Sequence, residues 1–160
     1  MLGVCALERT ELLRGWGRTQ PVMANVVELD GTPPSSEIFV RPGTIARGMG
    51  RAYGDAAQIG GGRVVTQPDD VASSTLAEGV LSAGGGVSLD SILSAYVPKG
   101  WFVPVTPGTR YVSVGGAIAA DIHGKIHHLE GTFSNHVESF ELLTPTGAMR
   151  VDREGDPDLF

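Results

Sequence analysis

The sequence lacks several features that would place it in a specialised class of protein. It contains one cysteine, Cys5, which excludes an internal disulfide and a thiolate-based metal site within one chain. No stretch approaches the ~18 consecutive apolar residues of a transmembrane helix. Residues 1–9 have no basic segment followed by a long apolar one, so we expect no signal peptide. Lys and Arg are not clustered and the net charge is -6, which disfavours nucleic acid as a partner.

Glycine, in contrast, is abundant, with 23 of 160 residues, roughly double the usual share of about 7%. The segment from Gly48 to Gly54 reads G-x-G-x-x-x-G, and more glycine follows instead of a helix, so it does not match the dinucleotide fingerprint of a Rossmann domain. Lys125 follows a glycine but precedes Ile126, which excludes a P-loop. The segment beside Arg47 and Arg51 is therefore interpreted either as a nest of backbone N–H groups for a pyrophosphate or as an ordinary surface turn.

The pattern of apolar residues and breakers predicts many short strands and a few helices, which is typical of an α+β fold. Ser88 and Ser113 are expected to cap two helices, and Asp156 a third at the end of the chain. A hairpin turn is expected at Thr144–Gly147. The helices are predicted at residues 88–96 and 114–121, and the strands or extended segments at 24–29, 44–47, 63–66, 79–83, 101–105, 137–143 and 148–151.

A polar cluster follows the second predicted helix. His123 and His127 are spaced as on one helix face, but the span lacks the H-E-x-x-H pattern and a third ligand, so a metal site is disfavoured. No G-x-S-x-G elbow is present, so Ser113 is interpreted as a helix cap and not as a nucleophile. Trp16 and Trp101 are interpreted as packing residues.

Four segments in this order resemble the FAD-binding domain of the vanillyl-alcohol oxidase type, also called the PCMH type. They are residues 15–19, 45–55, 107–128 and 133–137. Within that family the motifs are most similar to the oxidases that convert a lipid-linked ribose to its 2-keto form in cell-wall arabinan synthesis. The resemblance implies FAD as cofactor, a lipid-linked sugar as substrate, a partner reductase, and a location at the cytoplasmic or periplasmic face of a membrane. Short mixed sheets flanked by helices are the expected architecture.

The resemblance also implies roles for particular residues. Lys125 would contact the flavin or the substrate phosphate. The loop that holds the pyrophosphate would comprise Ala46, Arg47, Gly48, Met49, Gly50, Arg51, Ala52, Tyr53, Gly54, Asp55 and Ala56. The adenine–ribose or pyrophosphate path would be lined by Gly108, Ser113, Val114, Gly115 and Gly116. The isoalloxazine ring would lie near Ala120, Asp121, Ile122 and His123.

This sequence departs from the pattern of the family in several features. Relatives that bind flavin covalently use a His in the first glycine loop, and this loop has neither His nor Cys, so we expect non-covalent FAD. The connection from Glu37 to Gly43 is expected to be too short for the crossover helix of the family. We expect residues 1–160 to be the N-terminal portion of the FAD-binding domain, without the substrate domain and its flavin-side Lys. The alternatives are a non-catalytic flavin-binding fragment and the FAD module of an alditol or aldonolactone oxidase.

Overall fold

The computed structural model describes residues 6–18, 20–31 and 36–160, and its largest sheet has four strands. The strands are β1 (Ala6–Leu13), β2 (Val22–Leu29), β3 (Thr44–Ala46) and β4 (Arg63–Thr66), in the spatial order β1-β2-β4-β3. β1 runs antiparallel to β2, whereas β4 is parallel to both of its neighbours. The three strands predicted from the sequence are confirmed, and β1 is an element that the sequence analysis missed. Cys5 lies outside the described residues.

The connection between β2 and β3 is a crossover, so the expectation that it would be too short is wrong. β2 ends at Leu29, and residues 30–43 lead to β3 through a one-turn helix, α1 (Glu37–Val40). This length exceeds the roughly 10–12 residues that a crossover needs. The expectation failed because it counted from Ser36, although β2 had already ended. Part of the connection, residues 32–35, lies outside the described residues.

The short helix covers only part of one sheet face. Ile38 on α1 packs with Val27 and Leu29 of β2 and with Val65 of β4, and Phe39 borders this cluster. The opposite face has its own cluster, which contains Leu13, Ala24, Val26 and Val64. β2 and β4 are thus buried on both sides, which explains their valine-rich sequence.

A second core lies beneath two helices that position the candidate site. The buried residues of this core are Val87, Leu89, Ile92 and Val112. The remaining elements are β5 (Thr75–Ala77), β6 (Val80–Ser82), α2 (Leu89–Tyr96), α3 (Val114–Ala119), α4 (His127–Glu130), β7 (Ser139–Thr144) and β8 (Gly147–Asp152). β5 pairs with β6 and β7 with β8, each antiparallel. The predicted helices, the predicted strand at 79–83 and the predicted hairpin are confirmed.

One predicted segment differs from the structure. Residues 157–160 do not form the helix expected after Asp156: its carbonyl oxygen accepts hydrogen bonds from the amides of Leu159 and Phe160 at 3.0 and 2.9 Å, which forms a single turn. Residues 101–105, predicted to be a short extended segment, belong to none of the strands in the described part of the chain. Within residues 6–18, 20–31 and 36–160, no helix is both long enough and apolar enough to cross a bilayer.

Candidate functional site

The first glycine loop, residues 48–54, follows β3. Gly50 has a φ of +66° and lies against the guanidinium group of Arg47, where a Cβ would overlap the side chain. Glycine is therefore required at this position on both conformational and steric grounds. Gly48 lies against the hydroxyl group of Ser113, which brings the loop next to the start of α3.

A segment that precedes β2 packs against this loop. A Cβ at Gly15 would overlap the carbonyl oxygen of Gly54, and one at Gly17 would overlap that of Tyr53. Between them, the Trp16 amide donates to the carbonyl oxygen of Ala52 at 2.8 Å. Trp16 was predicted to be a packing residue, but Gly15 and Gly17 were assigned no role, although the Gly-x-Gly pattern around Trp16 is a signal for close backbone approach. Thr19 of the same segment lies outside the described residues.

The carbonyl and amide groups of the glycine loop differ in their partners. The carbonyl groups of Ala52, Tyr53 and Gly54 lie against the segment around Trp16. In contrast, among the described residues none accepts a hydrogen bond from a backbone N–H between Gly48 and Asp55. Consecutive amides without a protein acceptor form a concave site for an anion. A pyrophosphate fits this arrangement, because its oxygens accept several N–H groups at once.

The start of α3 forms the second wall of the site. Ser113 accepts a hydrogen bond from the Gly116 amide at 3.2 Å, so its predicted role as a helix cap is confirmed. The Gly115 amide donates to the carbonyl oxygen of Gly85 at 2.8 Å, and a Cβ at Gly115 would lie only 3.1 Å from that oxygen. Three glycine-rich segments, at residues 48–54, 84–86 and 115–116, therefore meet at the Ser113 cap.

Both arginines of the first loop donate to backbone carbonyl groups. The guanidinium group of Arg47 donates to the carbonyl oxygens of Ala57 and Arg14, each at 2.7 Å. Burial lowers the pKa of Arg47 below its usual value, although the group stays charged. Arg51 donates from Nε to the carbonyl oxygen of Tyr111 at 2.8 Å. Their charges lie beside the loop, as the sequence predicted, but these N–H groups bind protein.

The third part of the site is the segment that follows α3. An open depression of about 370 Å³ lies here, within the range of small-molecule sites. Its lining residues are Gly108, His123, Gly124, Lys125 and His127. The prediction placed Gly108 with the adenine–ribose or pyrophosphate path, and the structure brings it beside His123. His127 is a lining residue that the predicted set did not include.

Asp121 has an unusual backbone and a structural partner. Its φ is +39°, and its carboxylate accepts a hydrogen bond from the Ser134 amide at 3.0 Å. Burial raises the pKa of Asp121, but the hydrogen bonds from Ser134 and Thr132 and the charge of Arg153 together hold that pKa below its usual value. The carboxylate therefore stays ionised and fixes the turn before His123.

The histidine rings in this segment contact one another. His123 and His127 have ring centroids 5.6 Å apart, and His127 and His128 have theirs 6.1 Å apart, both edge to face. Within the part of the chain that the structure describes, no group of three or more His, Cys, Asp or Glu side chains is arranged to hold a metal ion.

Fold and site together define a flavin-binding domain. Residues 43–152 match a family model described as an FAD binding domain. The chain therefore belongs to the FAD-binding domain family, of the PCMH type that its motifs predicted, and FAD is its cofactor.

The individual relatives agree with this assignment. The chain is 45% identical to decaprenylphosphoryl-beta-D-ribose oxidase of Mycolicibacterium smegmatis over 161 residues, which cover 93% of this chain and 34% of that protein. This similarity confirms the resemblance seen in the motifs. The chain spans about a third of the length of this curated relative.

Two solved structures share the fold. Both are of cholesterol oxidase from Brevibacterium sterolicum. A point mutant gives a TM-score of 0.68 at 15% identity and covers 93% of this chain and 33% of its own. The other gives 0.56 at 16% identity and covers 74% and 25%, respectively. At these identities the likeness concerns the fold.

Proposed function

We propose that this chain binds the FAD of an oxidoreductase that oxidises a lipid-linked ribose. The observation that carries the proposal is the row of backbone N–H groups from Gly48 to Asp55, next to the Ser113 cap, for which the described residues provide no acceptor. These amides suit the pyrophosphate of FAD. The named relative, an oxidase of decaprenylphosphoryl ribose, supports the choice of substrate class.

The remaining predicted residues would contact different parts of the bound cofactor and the substrate. Ser113 and Gly116 would lie along the pyrophosphate or the adenine-bearing half, because Ser113 adjoins Gly48 and its hydroxyl group bonds the Gly116 amide. Ala120, Asp121, Ile122 and His123 would lie near the isoalloxazine ring. Bound FAD supplies the acceptor for the hydride that leaves C2 of the sugar. The depression lined by His123 and Lys125 suits the sugar phosphate, since an exposed ammonium group attracts that anion.

We also propose that the flavin is held without a covalent bond. Within the first glycine loop, the side chains are Met49, Arg51, Ala52 and Tyr53, and none of them is the His through which covalently bound relatives hold flavin, nor a Cys. Tyr53 is 78% exposed, which leaves its ring free to pack against the cofactor. A lipid-linked substrate would be met at a membrane face, and a partner reductase would act on the keto product.

Cofactor titration tests the proposed FAD-binding site. The purified chain is stripped of flavin and titrated with FAD, FMN and riboflavin while flavin fluorescence is followed. We expect FAD to bind at least about tenfold more tightly than FMN, because FMN lacks the pyrophosphate and adenylate. Equal affinities for FAD and FMN would contradict the assignment of the glycine loop to the pyrophosphate. Flavin fluorescence that stays in the protein band on a denaturing gel would contradict non-covalent binding.

Substrate turnover is the second test. The curated relative is about three times as long as this chain, so we expect the 160-residue chain to bind FAD without oxidising the sugar. This is the behaviour of a flavin-binding module that requires further protein for catalysis. Anaerobic bleaching of the flavin by decaprenylphosphoryl ribose would overturn this expectation. Bleaching by alditols or aldonolactones alone would favour that branch of oxidases instead.

A further inference from the structure

Arg51 lies at a junction of three chain segments. Its Nε donates to the carbonyl oxygen of Tyr111 at 2.8 Å, and its guanidinium carbon lies 4.8 Å from the centre of the Trp16 ring. The Trp16 amide in turn donates to the carbonyl oxygen of Ala52, the residue after Arg51. One side chain thus connects the first glycine loop to the segment around Trp16 and to the segment that precedes α3.

These segments are held in place to different degrees. Residues 110–114 are bound to the start of α2 by several backbone hydrogen bonds. Leu89 donates to Val112 at 2.9 Å, and Val114 donates to Val87 at 2.8 Å. In contrast, none of the described residues accepts a hydrogen bond from the amides of the glycine loop between Gly48 and Asp55. Arg51 is therefore the point at which the middle of the loop is fastened to a well-held part of the fold.

We propose that Arg51 is a positioning residue, which sets the spacing between the loop amides and the Ser113 segment and does not itself bind phosphate. The proposal rests on the proposed function, because the spacing matters only if both segments contact one FAD. Arginine suits the task, since a planar guanidinium group can stack on an indole ring while Nε donates in its plane. The Lys side chain carries the same charge but cannot make both contacts at once.

Two variants separate positioning from direct attraction of the pyrophosphate. Arg51→Gln removes the charge and the stack, and Arg51→Lys keeps the charge alone. Arg150→Gln on the exposed side of β8 is the matched control for loss of one positive charge. Each protein is titrated with FAD, and amide hydrogen exchange is measured by mass spectrometry on the same proteins without FAD.

We expect both Arg51 variants to bind FAD about tenfold more weakly than the unsubstituted chain and the control, because each loses a stacked and hydrogen-bonded contact. We also expect faster exchange at residues 48–55 and at 109–113 in the flavin-free variants. Full rescue of FAD affinity by Arg51→Lys would overturn the proposal, since it would show that charge is what matters. Unchanged exchange at both segments would overturn it as well.

The exchange measurement keeps the two proposals distinct. If the unsubstituted chain does not bind FAD, the proposed function fails. The exchange data still decide whether Arg51 ties the loop to residues 109–113. If exchange rises in both variants while FAD affinity is unchanged, the proposed function stands and the positioning role is wrong.

Discussion

The helices α2 and α3 begin in the same way but differ in what they contribute to the protein. Ser88 and Ser113 have nearly identical backbone angles, with φ of -83° and -82° and ψ of 152° and 154°. Each hydroxyl group accepts a hydrogen bond from the amide three residues later, at 3.0 and 3.2 Å. The two serines also pair with each other in a β-bridge. The caps are equivalent, so the difference between the helices must come from the residues around them.

The start of α2 is completed within the protein. Asp69 accepts hydrogen bonds from the Ser88 amide at 2.7 Å and from the Ser91 hydroxyl at 2.8 Å, and Leu89 is fully buried. The start of α3 has the half-buried Val114 in place of Leu89, and Gly115 and Gly116 in place of Asp90 and Ser91. Its cap lies against Gly48 of the first glycine loop. The comparison shows that one local motif builds a core when its apolar residue is fully buried and its first turn is bonded within the protein. When glycines occupy the first turn, the motif leaves a surface that a cofactor can approach.

Substitution of the first residue of each helix has the largest expected effect on this comparison. Leu89→Ala leaves a cavity in the core, so we expect the free energy of unfolding to fall by about 3 kcal/mol. Val114→Ala, at the equivalent position of α3, removes a half-buried side chain and should cost less than half as much. Chemical denaturation of both variants measures the difference. Equal losses would contradict the view that the first residue of α2 lies deeper in the core than that of α3.

Removal of the acidic partner of α2 has the next largest effect. Burial raises the pKa of Asp69, but hydrogen bonds from Ser88 and Ser91 outweigh it and leave that pKa below the usual 3.8. A lowered pKa in the folded state stabilises the fold above the usual pKa, and this contribution is lost as the pH falls through the folded-state pKa. We expect Asp69→Asn to lower the free energy of unfolding by about 1–2 kcal/mol at pH 7.

The pH dependence provides the control for that variant. The difference between the unsubstituted chain and Asp69→Asn should begin to shrink as the pH falls below about 4, where Asp69 becomes protonated in the unfolded state. It should be lost once the pH falls below the lowered pKa of Asp69 in the folded state. Denaturation curves at pH 7, 5 and 3 measure it. A difference that stays constant down to pH 3 would show that the carboxylate charge does not stabilise α2.

The local motifs of the two helices could be predicted from the sequence. A serine before an apolar residue at Leu89, or before Val114, indicates a cap, because its hydroxyl group can satisfy a free amide of the first turn. Strands such as β2 and β4 were predicted from short valine-rich runs. These features depend on neighbours within a few residues along the chain, so they are visible in the sequence.

The contacts that assemble the site could not be predicted in the same way. The donation from Arg51 to Tyr111 spans 60 residues, and no local pattern signals it. The crossover through α1 was misjudged because the end of β2 was not known in advance. β1 was missed because its sequence, with Glu8, Arg9 and Glu11, is charged, as suits the edge of a sheet. The resemblance of the motifs identified the cofactor. The tertiary structure was needed to show which backbone N–H groups remain available to bind it.

Gly48→Ala tests whether the cap of α3 belongs to the cofactor site. The new Cβ would overlap the Ser113 hydroxyl, which cannot turn away without losing its hydrogen bond to Gly116. We expect FAD to bind about tenfold more weakly, since overpacking typically costs about 1–3 kcal/mol. Gly60→Ala, outside this loop, is the matched control, because its Cβ would lie at an ordinary contact distance of 3.7 Å from the Val22 side chain. Equal affinities for the two variants would argue against a link between loop and cap.

The smallest effect, and the most direct test of the comparison, comes from the two caps themselves. Ser88→Ala and Ser113→Ala each remove one side-chain acceptor, so each should lower the free energy of unfolding by about 1 kcal/mol. FAD affinity should separate them. We expect Ser113→Ala to weaken FAD binding several-fold, because it frees the Gly116 amide and removes the contact with Gly48. Ser88→Ala should leave FAD affinity unchanged, since its hydroxyl group bonds Ser91 and not the first glycine loop. If both variants lost FAD affinity alike, the caps would act only through overall stability, and α3 would have no role in the cofactor site distinct from that of α2.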